Sequence, residues 1–191
     1  MKRLCSIIVI LSMIMSSFIA YSEETATIES SGECGTNMEY KLYSDGRLII
    51  NTTGENGVMS DFEWQRSGSV SSGNYKIWIN GPWYNNYRST ISNIEIINND
   101  TLGYKCKTIG TYNFAYFDNL TSVVIPSTVE NIGSNAFNND KKLSEIMLPE
   151  SVKTIGDNAF ISCSNLKNVT IPSNVTSIGK GAFEYSGIED V

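Results

Sequence analysis

The chain has 191 residues and carries 14 Lys and Arg against 20 Asp and Glu, a formal charge of −6, with no histidine. The acidic balance, with no basic run to offset it, argues against nucleic acid, whose phosphates are gripped by clustered Lys and Arg. The missing histidine removes Ser-His-Asp and Cys-His nucleophile activation, His-based zinc sites and histidine pH switching.

Residues 1–22 read as a signal peptide. Lys2 and Arg3 form a positive start, an apolar run extends from Leu4 to Ala20, and Ala20-Tyr21-Ser22 supplies small residues for cleavage. The run is about 17 residues, near the lower limit for a membrane span, and a membrane anchor is the alternative. No later apolar stretch is long enough to span, so no membrane segment is expected after the leader is removed. Cys5 leaves with the leader, and Cys34, Cys106 and Cys163 remain. Three thiols leave one unpaired or paired between chains, and a Cys34–Cys106 bond is one option. No C-x-x-C spacing points to zinc or redox chemistry.

Residues 23–90 read as a β-rich capping module. Met38, Tyr40 and Leu42 alternate with polar residues, Asp45-Gly46 signals a hairpin, and Leu48 and Ile50 return. A Gly/Ser/Asn-rich stretch covers residues 51–74, with Phe62 and Trp64 inside it, and Tyr75–Ile79 is a further strand.

From residue 91 the chain repeats. Ile-Gly recurs at Ile109, Ile132, Ile155 and Ile178, spaced by 23 residues, and Phe114, Phe137, Phe160 and Phe183 keep the same period. One unit reads Leu143-x-x-Ile146-x-Leu148-Pro149-x-x-Val152-x-x-Ile155-Gly156-x-x-Ala159-Phe160. Ile146 and Leu148 alternate as in a strand, and Pro149 ends its pairing. Val152 and Ile155, three apart, suit a turn or short helical arc. The Gly after each Ile is expected to supply positive φ or close backbone approach. One unit cannot bury its apolar face alone, so the units must stack as a solenoid. Four units and the start of a fifth fill residues 91–191. Six extra residues within Ile97–Lys105 bulge from the first as a turn containing Asn98-Asn99-Asp100.

The unit Leu166-x-x-Val169-x-Ile171-Pro172-x-x-Val175-x-x-Ile178-Gly179-x-x-Ala182-Phe183 resembles the BspA-type, or Treponema-type, leucine-rich repeat. Gly32-Glu33-Cys34-Gly35, Asp45-Gly46 and Gly81-Pro82-Trp83-Tyr84 are similar to the module that often opens such proteins. The resemblance implies a right-handed solenoid with short parallel strands on its concave face. It also implies secretion or surface display, and adhesion to host proteins or other cells.

The outward positions of the strands form the candidate binding ladder: Asn93, Glu95, Ser122, Val124, Glu145, Met147, Asn168 and Thr170. Plain solvated sheet is the alternative. Trp78 and Trp83 form an alternative sugar-stacking platform, against which stands simple core packing. Asn51, Asn99, Asn119, Asn168 and Asn174 head glycosylation sequons, relevant only in a eukaryotic source. The open carboxyl edge suits self-association. Asp61, Glu63 and Glu95 offer carboxylates, but nothing in the sequence brings two together, so no enzyme activity, cofactor or metal is expected. The expected partner is an extracellular or host protein, or another cell surface.

Overall fold

The computed structural model describes residues 26–69 and 74–188, and the segment read as a signal peptide and Val191 lie outside them. The amino-terminal part is antiparallel β: β1 (Ile28–Thr36), β2 (Met38–Tyr43), β3 (Arg47–Thr52) and β4 (Gly57–Met59). In β2, Met38, Tyr40 and Leu42 point inward while Glu39 and Lys41 face solvent, the period of two that a half-buried strand requires. The β2–β3 turn falls at Asp45-Gly46. Gly46 takes φ +85°, its N–H donates to the Tyr43 carbonyl at 3.0 Å, and the Asp45 carboxylate accepts the Arg47 N–H at 3.1 Å.

The Gly/Ser/Asn-rich stretch is less irregular than its composition suggests. It contains β4 and also β5 (Trp64–Ser69), which pairs antiparallel with β6 (Asn74–Ile79) as a separate hairpin. A single helical turn, α1 (Tyr84–Tyr87), then leads into the repeats.

The repeats form two parallel ladders rather than one. The first joins β7 (Asn93–Ile97), β9 (Ser122–Val124) and β11 (Glu145–Ile146), with a further bridge from Glu145 to Asn168. The second joins β8 (Cys106–Ile109), β10 (Asn131–Ile132), β12 (Thr154–Ile155) and β13 (Ser177–Ile178). The expected turn or helical arc from Val152 to Ile155 is corrected in its second half: a turn closes at Val152, whose N–H donates to the Pro149 carbonyl at 3.0 Å, and Thr154–Ile155 is strand β12. Two-residue strands are too short to display alternation, and their identity comes from pairing with neighbouring coils. The insertion after β7 is closed by an Asn99–Tyr104 bridge.

The glycine of each Ile-Gly pair works through close approach, not positive φ. A β-carbon on Gly133 would lie 2.6 Å from the Gly110 carbonyl carbon, so successive coils touch backbone to backbone there. Left-handed backbone falls elsewhere, at Tyr112, Asn135, Asn158 and Gly181 and again at Tyr116, Asn139, Ser162 and Tyr185. These two positions bracket the Ala-Phe pair of each coil. The bends they create are hydrogen-bonded coil to coil, Phe114 N–H to Ala136 O at 2.9 Å and Phe137 N–H to Ala159 O at 2.8 Å.

The enclosed phenylalanines stack. Phe137 and Phe160 lie 5.1 Å apart with 4° between their planes, and Phe160 and Phe183 lie 5.2 Å apart at 3°. Trp83 extends the column below Phe114, at 5.9 Å and 19°.

The amino-terminal strands occupy the place of a preceding coil. β3 pairs parallel with β7, and β4 pairs parallel with β8. The two ladders thus become the two arms of one sheet of eleven strands among the described residues.

Candidate functional site: the outward ladder

Ile94, Val123 and Ile146 point into the core, at 1%, 6% and 5% exposure, which turns their neighbours outward. The eight expected ladder residues do share this outer surface. Asn93, Glu145, Asn168 and Thr170 are exposed, and Glu95 and Ser122 are half-buried. Val124 is 53% exposed and Met147 86%. They occupy equivalent positions of successive coils, so two apolar side chains stand side by side with polar residues around them. Asn93 Nδ2 donates to Ser122 Oγ at 2.7 Å, which orders the polar row beside them. A shallow depression of about 670 Å³ adjoins Met147, lined also by Glu145, Leu148, Lys167, Asn168 and Thr170.

The second ladder has a different outer surface. Lys107 and Lys153 both reach Glu130, at 2.6 and 2.5 Å. Hydrogen bonds and charge from the two ammonium groups pull the Glu130 carboxyl down to about 2. Thr154 Oγ1 donates to Asn131 Oδ1 at 2.8 Å, and Asn131 Nδ2 reaches Thr108 Oγ1 at 3.5 Å. Its polar groups are largely spent on one another, coil to coil.

The sugar platform is overturned at Trp83. That indole is 1% exposed, packs edge-on to Tyr40 and Phe62, and donates from Nε1 to the Asn113 carbonyl at 2.9 Å. The reason is positional: Trp83 begins the aromatic column, where a large ring covers the first phenylalanine. The side chain of Trp78 lies outside the described residues.

Among the sequons, Asn168 is exposed. Asn51 sits half-buried within β3. Asn119 Nδ2 donates to Ser89 O at 2.5 Å, Asn174 Nδ2 to Glu150 O at 2.9 Å, and Asn99 Oδ1 accepts the Leu102 N–H at 3.2 Å.

Cys34, Cys106 and Cys163 are free, buried thiols. Burial pushes Cys34 up to about 12 and Cys106 up to about 11. Asp61, one of the loose carboxylates, accepts the Thr111 N–H at 2.6 Å. Among the described residues no group of three or more Cys, Asp or Glu is placed to hold a metal ion. No helix there is long and apolar enough to cross a membrane.

Sequence reasoning missed Asn113. This residue is 1% exposed, its Oδ1 accepts the Gly110 N–H at 2.8 Å, and its Nδ2 donates to Ser60 O at 2.6 Å. The signal was present in the chain: the other coils hold Ala136, Ala159 and Ala182 at this position, and only the first coil holds a polar residue.

Comparison with solved structures finds leucine-rich-repeat proteins. One from Eubacterium ventriosum is 25% identical with a TM-score of 0.55, the alignment covering 82% of this chain and 41% of that one. One from Bacteroides ovatus is 26% identical with a TM-score of 0.44, covering 51% of this chain and 29% of that one. A leucine-rich cell surface protein from Faecalibacterium prausnitzii is 19% identical with a TM-score of 0.37, covering 86% and 55%. The chain thus spans less than half the length of the first two, and the Eubacterium protein is the one whose likeness carries the fold. Comparison with curated proteins gives no match. A family model, the BspA type leucine rich repeat region, matches six copies over residues 86–191. With more than half of its length matched, the chain belongs to the BspA-type leucine-rich-repeat family.

Proposed function

We propose that this chain is a secreted or cell-surface binding module that engages a protein partner through the outer surface of β7, β9 and β11, without catalysis. The carrying observation is the adjacent exposed pair Val124 and Met147, ringed by Asn93, Ser122, Glu145, Asn168 and Thr170. An apolar centre inside a polar rim is the anatomy of a protein–protein contact, and methionine adapts its shape to a partner. Family membership supports the reading, since repeat solenoids bind along extended ladder faces. In the same reading the concave face is this one, the 23-residue coil is the repeating unit, and the amino-terminal strands act as its cap.

The test is binding of the tagged, multimerised chain to intact cells and to matrix proteins, beside the double variant Val124→Lys/Met147→Lys. Binding is expected for the parent and lost in the variant, with circular dichroism unchanged. Equal binding by both would remove this surface as the site.

A second reading, self-association at the last described coil, rests on Ile178. It is 46% exposed, whereas Ile109, Ile132 and Ile155 are 0–1% exposed, and Tyr185 beyond it is 74% exposed. Sedimentation would show concentration-dependent dimers that Ile178→Lys abolishes. A monomer at all concentrations ends this reading.

A further inference from the structure

Asp140 is an acidic side chain with 0% exposure, in the interior of the stack. The equivalent positions hold Phe117, Cys163 and Ser186. Its Oδ1 accepts the Phe117 N–H at 2.7 Å, and its Oδ2 is buried with no hydrogen-bond partner. The next coil covers it with Cys163, also 0% exposed, whose thiol donates to Phe137 O at 3.0 Å.

We infer that Asp140 is a pH-sensitive latch of the repeat stack, closed while its carboxyl is protonated and strained open when it ionises. A carboxylate here would keep one backbone N–H as its partner and leave a bare charged oxygen in an apolar interior, which is among the largest penalties a core can carry. A neutral carboxylic acid keeps the Phe117 bond without the buried charge.

The titratable and charged groups around it oppose ionisation. Asp118, on the preceding coil, adds like charge and is held by Arg88 at 3.7 Å. The Cys163 thiol, on the following coil, is itself pushed upward by burial and by Asp140. Burial is the first cause of the raised Asp140 value, ahead of Asp118, and the Phe117 N–H pulls only partly the other way.

The sign follows. The folded chain retains a proton that an unfolded Asp releases near its ordinary value of about 3.9. The contribution is therefore full below that value and is lost progressively as pH rises towards the folded-state value. Asp140 lies in the turn that leads through Leu143 into β11, since the Leu143 N–H donates to Asp140 O at 3.1 Å. Ionisation loosens that turn, independently of what the outer surface binds.

The test is urea unfolding of the full chain and of Asp140→Asn from about pH 3 to about pH 9. Asn keeps the size and the oxygen acceptor but has no charge to gain. The wild-type midpoint is expected to fall relative to Asp140→Asn as pH rises above about 3.9, and to run parallel to it below that value. Identical pH dependence of the two proteins would overturn the latch. Should the variant not fold, the carbon-13 shift of the wild-type Asp140 carboxyl decides. It is expected to titrate well above the ordinary carboxylate range, and titration within that range would overturn the inference.

Discussion

Asn113 shows how one residue substitutes for a missing neighbour. Gly133, Gly156 and Gly179 donate their N–H groups to Ile109, Ile132 and Ile155 of the coil before, each at 2.8 Å. Gly110 has no such coil before it, and the Asn113 carboxamide takes its N–H instead while tying down Ser60. Asn113→Ala fits sterically, as Ala136 and Ala159 show, but orphans the buried Gly110 N–H and releases the exposed Ser60 carbonyl to water. It is expected to lower stability by about 1–3 kcal/mol, the cost of one unsatisfied buried group, measured by denaturant unfolding. The thiols offer a second check. With Cys34 at about 12 and Cys106 at about 11, and all three described cysteines buried, alkylation mapped by mass spectrometry should modify none of them until the chain is unfolded. The apolar repeat positions were legible because the same residue types recur every 23 positions. The burial of Trp83 was not, because an indole reads alike on a surface or under a phenylalanine, and only the column above it decides.

Each element repeats a contact across coils, so damage to one element should report on its column. Phe137 is wholly buried between Phe114 and Phe160. Phe137→Ala is expected to cost about 3–5 kcal/mol, read as a shifted denaturation midpoint. The Lys107–Glu130–Lys153 ladder should behave quite differently. Glu130 is depressed to about 2 by its two lysines, so what it contributes is present above its ordinary range and is lost as pH falls from there through about 2. Glu130→Gln should remove a small, salt-sensitive part of the stability at neutral pH and nothing in strong acid, as thermal melts at low and high salt would show. The first ladder was legible because Ile94 and Ile96 alternate along the five residues of β7, and the 23-residue period carries that strand on to β9 and β11. The second was hidden because β10, β12 and β13 have two residues each, too few for any period, and their pairing is entirely between coils. β4 was hidden for a related reason: Gly57, Val58 and Met59 lie in a turn-rich stretch and become a strand by joining β1 to β8.

At the scale of the molecule, both ladders issue from one set of strands. β3 and β4 give each ladder its first rung, Met59 and Ser60 contact Gly110 as Gly110 contacts Gly133, and Trp83 heads the aromatic column. Exposure stays at 0–1% from Ile109 through Ile132 to Ile155 and steps to 46% at Ile178, in the last described coil. Amide hydrogen exchange should follow the same step, slow in β8, β10 and β12 and fastest at β13. Uniform protection from β8 to β13 would contradict it.

The doubly attached rung also sets an order of events in time. β1 to β4 pair largely with near neighbours in sequence, so this sheet can close while the rest of the chain is still being made. Its two free edges are then the templates that fix register for β7 and β8, and each finished coil becomes the mould for the next. A chain synthesised from its amino end therefore assembles by accretion, never needing to hold several unpaired strands at once.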